Sequence, residues 1–389
     1  MLVVGGALGG APLLAEPYTP KSDDEVLERL PPGVGRPRPV AADQELAQDA
    51  ENLRASLELA ARYLRTAEAE GDARFHGYTR ALLRPWWSAT PRPPGVALIQ
   101  ARIHLARWEW DEVVATAALV PDTDVNLPAA QVLLFEALLG RGEVERAEAV
   151  LSSIQTRLDP RALARARALV ARRTGRAEEA LQEWSKVLTT LPPDSAHRAS
   201  DRLFRADLLL QLGRGDEAAE ELSVSVREAG TQVDVLEAQA DLLLDRRQPA
   251  AVIELLRRGT LTDALELRVL EAFAQSPDPD PAEQVRRQAV VREWLERVER
   301  RRDRGDVTAL PLLVRAYRRV VPDAALALAC ATEWWEARPD FDSVRGCREA
   351  AQNPAGAGLA AAVQQWIDRH RAEDARWAGE ATPTTRRGP

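Results

Sequence analysis

Histidine and cysteine are nearly missing from this chain of 389 residues, which carries four of the first and two of the second. The histidines, His76, His104, His197 and His370, lie far apart, and none has helical or loop spacing suited to a metal. His104 reads instead as a packed or partly exposed helix residue. Aromatic residues make up 5% of the chain and β-branched runs are scarce, so there is little from which to build a sheet. No Gly-x-Ser-x-Gly elbow and no phosphate-cradling loop occurs. With no constellation of nucleophile, base and orienting group, the chain reads as non-catalytic and free of cofactors and metals. Positive charge is not in excess: the formal net charge is −8, which argues against a nucleic-acid partner. The arginines between Arg297 and Arg304 alternate with Glu296, Glu299 and Asp303, the pattern of a solvated helix face. No apolar run reaches the roughly 20 residues of a membrane-spanning helix.

What the chain has in quantity is Ala, Leu, Arg and Glu, all strong helix formers, within an apolar content of 45%. The expected class is all-α. Small and apolar residues return about every 34 residues, at Thr79, Val113, Ala147, Ala180, Ala218 and Val252, with one longer interval after Ala180. Twelve positions earlier stand Ala67, Ala101, Phe135, Ala168, Ala206 and Ala240. Four positions later stand Leu83, Ala117, Leu151, Trp184, Leu222 and Leu256. Gly142, Gly175 and Gly213 share a slot five before the anchor, where a left-handed residue closes a helix at low cost. In the fourth unit this grammar predicts a helix over 161–173, a turn at Thr174-Gly175-Arg176 and a second helix over 177–188, ended by Pro192-Pro193. Such hairpins cannot bury their apolar faces alone and must stack on one another.

The same register settles two decoys. Gly213-Arg214-Gly215-Asp216-Glu217-Ala218 satisfies a Gly-x-Gly-x-x-Ala dinucleotide pattern, but that motif needs a strand before it, and here it falls in an interhelical turn. The Arg-Gly-Asp triplets at Arg214 and Arg304 read as turns as well. Of the ten tryptophans, Trp86, Trp110 and Trp184 fall on interior repeat positions and read as core. The adjacent Trp334 and Trp335 cannot both face one way, which suggests a partly exposed surface there.

The chain divides into a signal-like apolar segment 1–15, a proline-rich linker 16–44, a regular repeat array 45–264, less regular helical repeats 265–377 with a further anchor at Ala325, and a polar tail 378–389. The first segment has the apolar core and small-residue end of a secretory signal, without a preceding Lys or Arg. It points to export, to a periplasm, or to a cytoplasmic protein if the run is not a signal. Cys330 and Cys347 lie almost equidistant from Pro339-Asp340, and in an antiparallel hairpin such positions meet within the roughly 7 Å a bridge needs. They are a disulfide after export, or two buried thiols acting as small hydrophobes.

Ala168, Gly175, Ala180 and Pro192, and again Ala206, Gly213 and Ala218, resemble the small, turn, small and proline positions of the tetratricopeptide repeat (TPR) family. The family's bulky residue early in the first helix is replaced by Ala97, Gln131, Ala164 and Arg202. The linker also looks like the start of exported bacterial TPR proteins. The resemblance implies an α-solenoid of stacked antiparallel hairpins, a right-handed superhelix whose first helices line a concave peptide groove. Carried onto this chain, the groove positions are Glu68, Arg102, Glu136, Asp207 and Asp241, with Asp72, Arg173, Gln211 and Asp245 one turn on, adjacent on the same face. They are acidic toward both ends and basic near Arg102 and Arg173, fitting a peptide with Lys or Arg toward its ends and an acidic group in its middle. Ordinary solvated positions are the other reading. No asparagine stands among them, so the Lys/Asn carboxylate clamp of some TPR proteins is not reproduced. The implied role is a non-catalytic scaffold for a protein or peptide, an accessory or assembly factor in a bacterial cell envelope, or else a self-associating structural component there.

Overall fold

Helix-forming composition carries through to the structure: among the described residues every regular element is helical and none is a strand. The computed structural model describes residues 53–190, 197–229, 232–257, 261–276 and 280–377. The signal-like segment, the linker, Pro192-Pro193 and the tail lie outside the described residues. Six helix pairs follow one another: Leu53–Glu70 (α1) with Arg74–Leu82 (α2) and the short Arg84–Trp87 (α3), Pro94–Ala106 (α4) with Trp110–Ala117 (α5), Leu127–Gly140 (α6) with Val144–Ile154 (α7), Pro160–Arg173 (α8) with Ala177–Thr190 (α9), Arg198–Gln211 (α10) with Gly215–Ala229 (α11), and Val233–Asp245 (α12) with Pro249–Leu256 (α13). Asp263–Gln275 (α14), the long Pro281–Asp303 (α15), Leu310–Arg319 (α16), Ala324–Ala337 (α17), Phe341–Ala350 (α18) and Ala357–His370 (α19) complete the chain, with a 3-10 turn at Ala375–Trp377. Each helix packs on its sequence neighbours, so the fold is an all-α helical repeat of adjacent pairs.

The period is buried as well as written. All eighteen residues at the anchor, the position twelve before it and the position four after it are buried, the anchors at 1% exposure or less. The turns repeat too. The left-handed residues Trp108, Gly142, Gly175, Gly213 and Arg247 all stand five before an anchor. After each, the next amide donates five residues back: Glu109 to His104, Glu143 to Leu138, Arg176 to Ala171, Arg214 to Leu209 and Gln248 to Leu243, at 2.8–2.9 Å. This is the long bond of a Schellman turn, which satisfies a helix-end carbonyl and turns the chain sharply. Gly71 before Asp72, Gly305 before Asp306 and Arg371 before Ala372 repeat the device away from that slot. Helix starts are fixed by side chains: Asp159, Thr262 and Asp280 accept from the third amide of α8, α14 and α15.

Beyond α13 the register slips. Ala325 is exposed and the first buried small residue of α17 is Ala327, so the further anchor lies two residues from its expected place. Trp334 and Trp335 are both buried, not one of them exposed. Gly346 of α18 lets Trp334 approach on one side, and Trp366 of α19 meets Trp335 edge-on at 6.3 Å on the other. Two helices cover two faces, which one helix could not. The arginines of α15 are likewise not simply solvated: Arg297 and Arg301 pair with Asp263 of α14, and Arg302 pairs with Glu333 of α17.

Cys330 and Cys347 are free, buried thiols in one cluster. The Cys347 thiol donates to the Ala331 carbonyl of α17 at 3.4 Å, and burial pushes it up to about 12, far from the thiolate that disulfide exchange requires.

Candidate functional site

Because α1, α4, α6, α8, α10 and α12 are the first helices of their pairs, the register puts one residue of each on a shared face. The neighbours there are about 34 residues apart in sequence, and they pair across the repeats. Arg102 on α4 reaches Glu68 on α1 at 2.5 Å. Arg173 at the end of α8 donates to the Leu139 carbonyl of α6 at 3.0 Å. Arg172 reaches Asp207 on α10 at 2.5 Å. Asp241 on α12 takes both Arg268 of α14 and Arg315 of α16, at 2.9 and 2.7 Å. Asp245 lies 3.8 Å from Arg319 and 3.7 Å from Arg345. Asp72 is held by Arg74 within the first turn. Burial would raise the Asp207 and Asp241 carboxyls; Arg172 with Arg376, and Arg315 with Arg268, outweigh it and hold both below the usual range, Asp241 far below.

Glu136 is different. It has no hydrogen-bond or ion-pair partner among the described residues, and burial raises its carboxyl despite the charges of Arg165, Arg173 and Arg102 nearby. A group whose ionisation is easier in the unfolded chain destabilises the fold above its folded pKa and has no effect below the unfolded value, about 4.3. Glu136→Gln should therefore stabilise the protein near neutral pH, by the roughly 0.5–2 kcal/mol of a good single substitution, and leave it unchanged below about pH 4. Thermal melting at the two pH values checks this; an equal gain at both would exclude the ionised carboxylate as its cause.

Sequence reasoning missed the residues that lie on this face. The C-terminal stretch after α19 runs along the turn ends of α6, α8 and α10. His370 lies against Gly142, where a Cβ would come within 3.0 Å of its ring, and the Arg371 carbonyl lies against Gly175, where a Cβ would come within 2.6 Å. Ala375 lies against Gly213. The turn glycines thus supply close approach as well as a left-handed bend. Gln211 divides its amide hydrogens between the Arg172 carbonyl at 2.8 Å and the Glu373 carbonyl at 2.7 Å. Arg376 joins Asp207 at 2.7 Å and its own neighbour Asp374 at 2.9 Å. Trp377 packs on Phe341 with ring centroids 4.8 Å apart, and Arg172 stacks over the Phe341 ring at 5.1 Å. Farther along, Arg338 stacks over Trp108 at 3.9 Å and Trp110 at 5.2 Å.

Two open volumes border this framework. One of about 1320 Å³ lies among the first turn and α12, α14, α15, α16 and α18, with Asp241 and Asp245 on its wall and arginines and carboxylates in near balance. A second, of about 490 Å³, lies beside Trp108, Trp110 and Arg338. The structure therefore brings Asp207 and Gln211 together under the C-terminal stretch, ties Arg173 to the Leu139 carbonyl, sets Asp241 and Asp245 on the larger volume, pairs Glu68 with Arg102 and leaves Glu136 unpaired. His104 is partly buried with Nδ1 2.6 Å from Glu109, and Gly213 follows a helix where a dinucleotide site needs a strand. Among the described residues no cluster of His, Cys, Asp and Glu could hold a metal ion, and no helix is long and apolar enough to cross a membrane. The sequence matches no protein-family model, and no curated protein matches it.

Proposed function

We propose that the protein is a non-catalytic, TPR-like scaffold that binds a protein or peptide along the face of its first helices, as an accessory or assembly factor exported to a bacterial cell envelope. One observation carries this reading. The face already holds polypeptide: residues 370–376 cross three successive hairpin turns, held by a side chain on a main-chain carbonyl and by an arginine on an aspartate. Main-chain hydrogen bonds give affinity for any extended segment, and charged side chains at fixed spacing choose among them. A preformed surface of stacked helices loses little entropy when it binds.

Lys21 and Lys186 are the chain's lysines, so amine crosslinkers report poorly on it. A photo-crosslinking amino acid placed at Glu68, on the first-helix face, and at Glu148, on the outer helix α7, asks the question directly in cells of the natural source. The expected result is an adduct with a different protein from position 68 and none from position 148. Adducts solely between copies of the chain would replace this reading with the self-associating one.

A further inference from the structure

Two buried polar atoms without a protein partner stand at the contact with the C-terminal stretch: Oε1 of Gln211, whose amide reaches Glu373, and Nε of Arg172, which shares Asp207 with Arg376; Nε of Arg173, on the adjoining residue, is a third. Buried groups of this kind are nearly always satisfied, so the segment lying there leaves polar groups that a better-fitting one would meet. The groups the segment does satisfy would not be stranded by its departure. Asp207 keeps Arg172, and Gln211 keeps the Arg172 carbonyl. Its connection to α19 passes through Arg371, a left-handed residue that is not glycine, with φ of 50°. Its apolar anchors are Ala372 and Trp377, 3% and 7% exposed.

We infer that residues 371–377 are a tethered stand-in for the partner and leave the face when it binds; the inference rests on the peptide-binding reading of that face. The partner is an extended polypeptide stretch that sets an arginine against Asp207, brings a carboxylate to Arg172 and Arg173, and offers a main-chain amide to Gln211. The stand-in supplies the arginine, as Arg376, but its Asp374 turns back to Arg376, and the carboxylate facing Arg173, at 3.6 Å, is Asp342 of α18. Closure by the tether lowers apparent affinity for the partner by the fraction of time the face is covered.

A labelled peptide of this chain's own sequence from Arg369 to Trp377, titrated by fluorescence anisotropy into the full-length protein, tests this. A full-length variant carrying Arg376→Glu and Trp377→Ala should bind the peptide at least about tenfold more tightly than the wild type, and a peptide with glutamate in place of its Arg376 should lose that binding. A folded variant that binds no better than the wild type would overturn the inference while leaving the position-68 adduct, and with it the peptide-binding reading, intact. A wild-type dimer that the variant converts to monomer would also overturn it, because the segment would then be exchanged between copies. If the variant does not fold, hydrogen exchange on the wild type decides: amides of 371–377 should open about a hundredfold more readily than those of α10 and α18. Exchange of those amides by global unfolding alone would refute the release.

Discussion

Replacing Trp184 by alanine should cost about 3–5 kcal/mol, the range for deleting a buried aromatic ring whose cavity cannot collapse. Trp184 belongs to α9 but its partners belong to the next repeat. It is fully buried, its indole donates to the Asp201 carbonyl of α10 at 2.8 Å, and its ring meets Phe204 edge-on at 5.1 Å. Arg165 of α8 lies over both rings, at 5.9 and 4.7 Å. The same α10 turn is held from the other side by Arg161, which pairs with the fully buried Asp201 at 2.7 Å. Trp184→Phe should lose far less, because it keeps most of the apolar area and gives up one hydrogen bond worth about 1 kcal/mol. In a repeat protein each unit is stabilised chiefly by its neighbours, so the damage should be local. Hydrogen exchange should rise first in α9 and α10, while α16 to α18 stay protected. Urea unfolding gives the magnitude; a loss below 1 kcal/mol would mean the seam between these repeats does not depend on Trp184.

That seam was legible in the sequence because it is periodic. Small residues at two positions and a large one at a third predict where two helices touch, and Ala168, Ala180 and Trp184 behave as the spacing requires. The turn glycines were legible for the same reason. The same turn at Trp108 and Arg247 was not, since neither residue type favours the left-handed region and each costs roughly 1–2 kcal/mol there. Their conformation is imposed by the long helix-end hydrogen bonds on either side, and at Trp108 also by the stacking of Arg338. Sequence propensity sees none of these.

The candidate site divides along the same line. Contacts between neighbouring repeats, such as Glu68 with Arg102, sit one period apart and follow from the register. Arg376 stands 169 residues from Asp207, and Glu373 stands 162 from Gln211. No periodic signal relates such positions, and in sequence Glu373 to Trp377 look like the fraying end of a helix. The register thus relates the first-helix positions to one another, while the residues that Asp207 and Gln211 meet lie in a part of the chain where the repeat has faded.

Arg315→Ala should be as damaging as the loss of Trp184, about 3–5 kcal/mol, for an electrostatic reason. Arg315 on α16 ties α12 to α14: one side of its guanidinium meets Asp241 at 2.7 Å and another meets Glu271 at 3.1 Å. Glu271 is 1% exposed, and without Arg315 its remaining cation is Arg319, 3.5 Å away. Asp241 would keep its two bonds to Arg268, at 3.0 and 2.9 Å. The cost therefore falls on Glu271, a carboxylate taken out of water and left with one long contact. Replacing both residues, as Arg315→Met with Glu271→Leu, should recover most of the loss, because an apolar pair of similar volume needs no compensating charge. The pH dependence has a definite sign. Asp241 has a carboxyl depressed by Arg315 and Arg268, so its contribution is present above the unfolded value of about 3.9 and fades as pH falls toward the folded one. The alanine variant has less of this to lose, so its deficit should be largest at neutral pH and narrow below about pH 4. A deficit that stays constant from pH 7 to pH 3 in urea titrations would assign the loss to packing instead, and a double variant no more stable than Arg315→Ala would show that Glu271 was not the group left stranded.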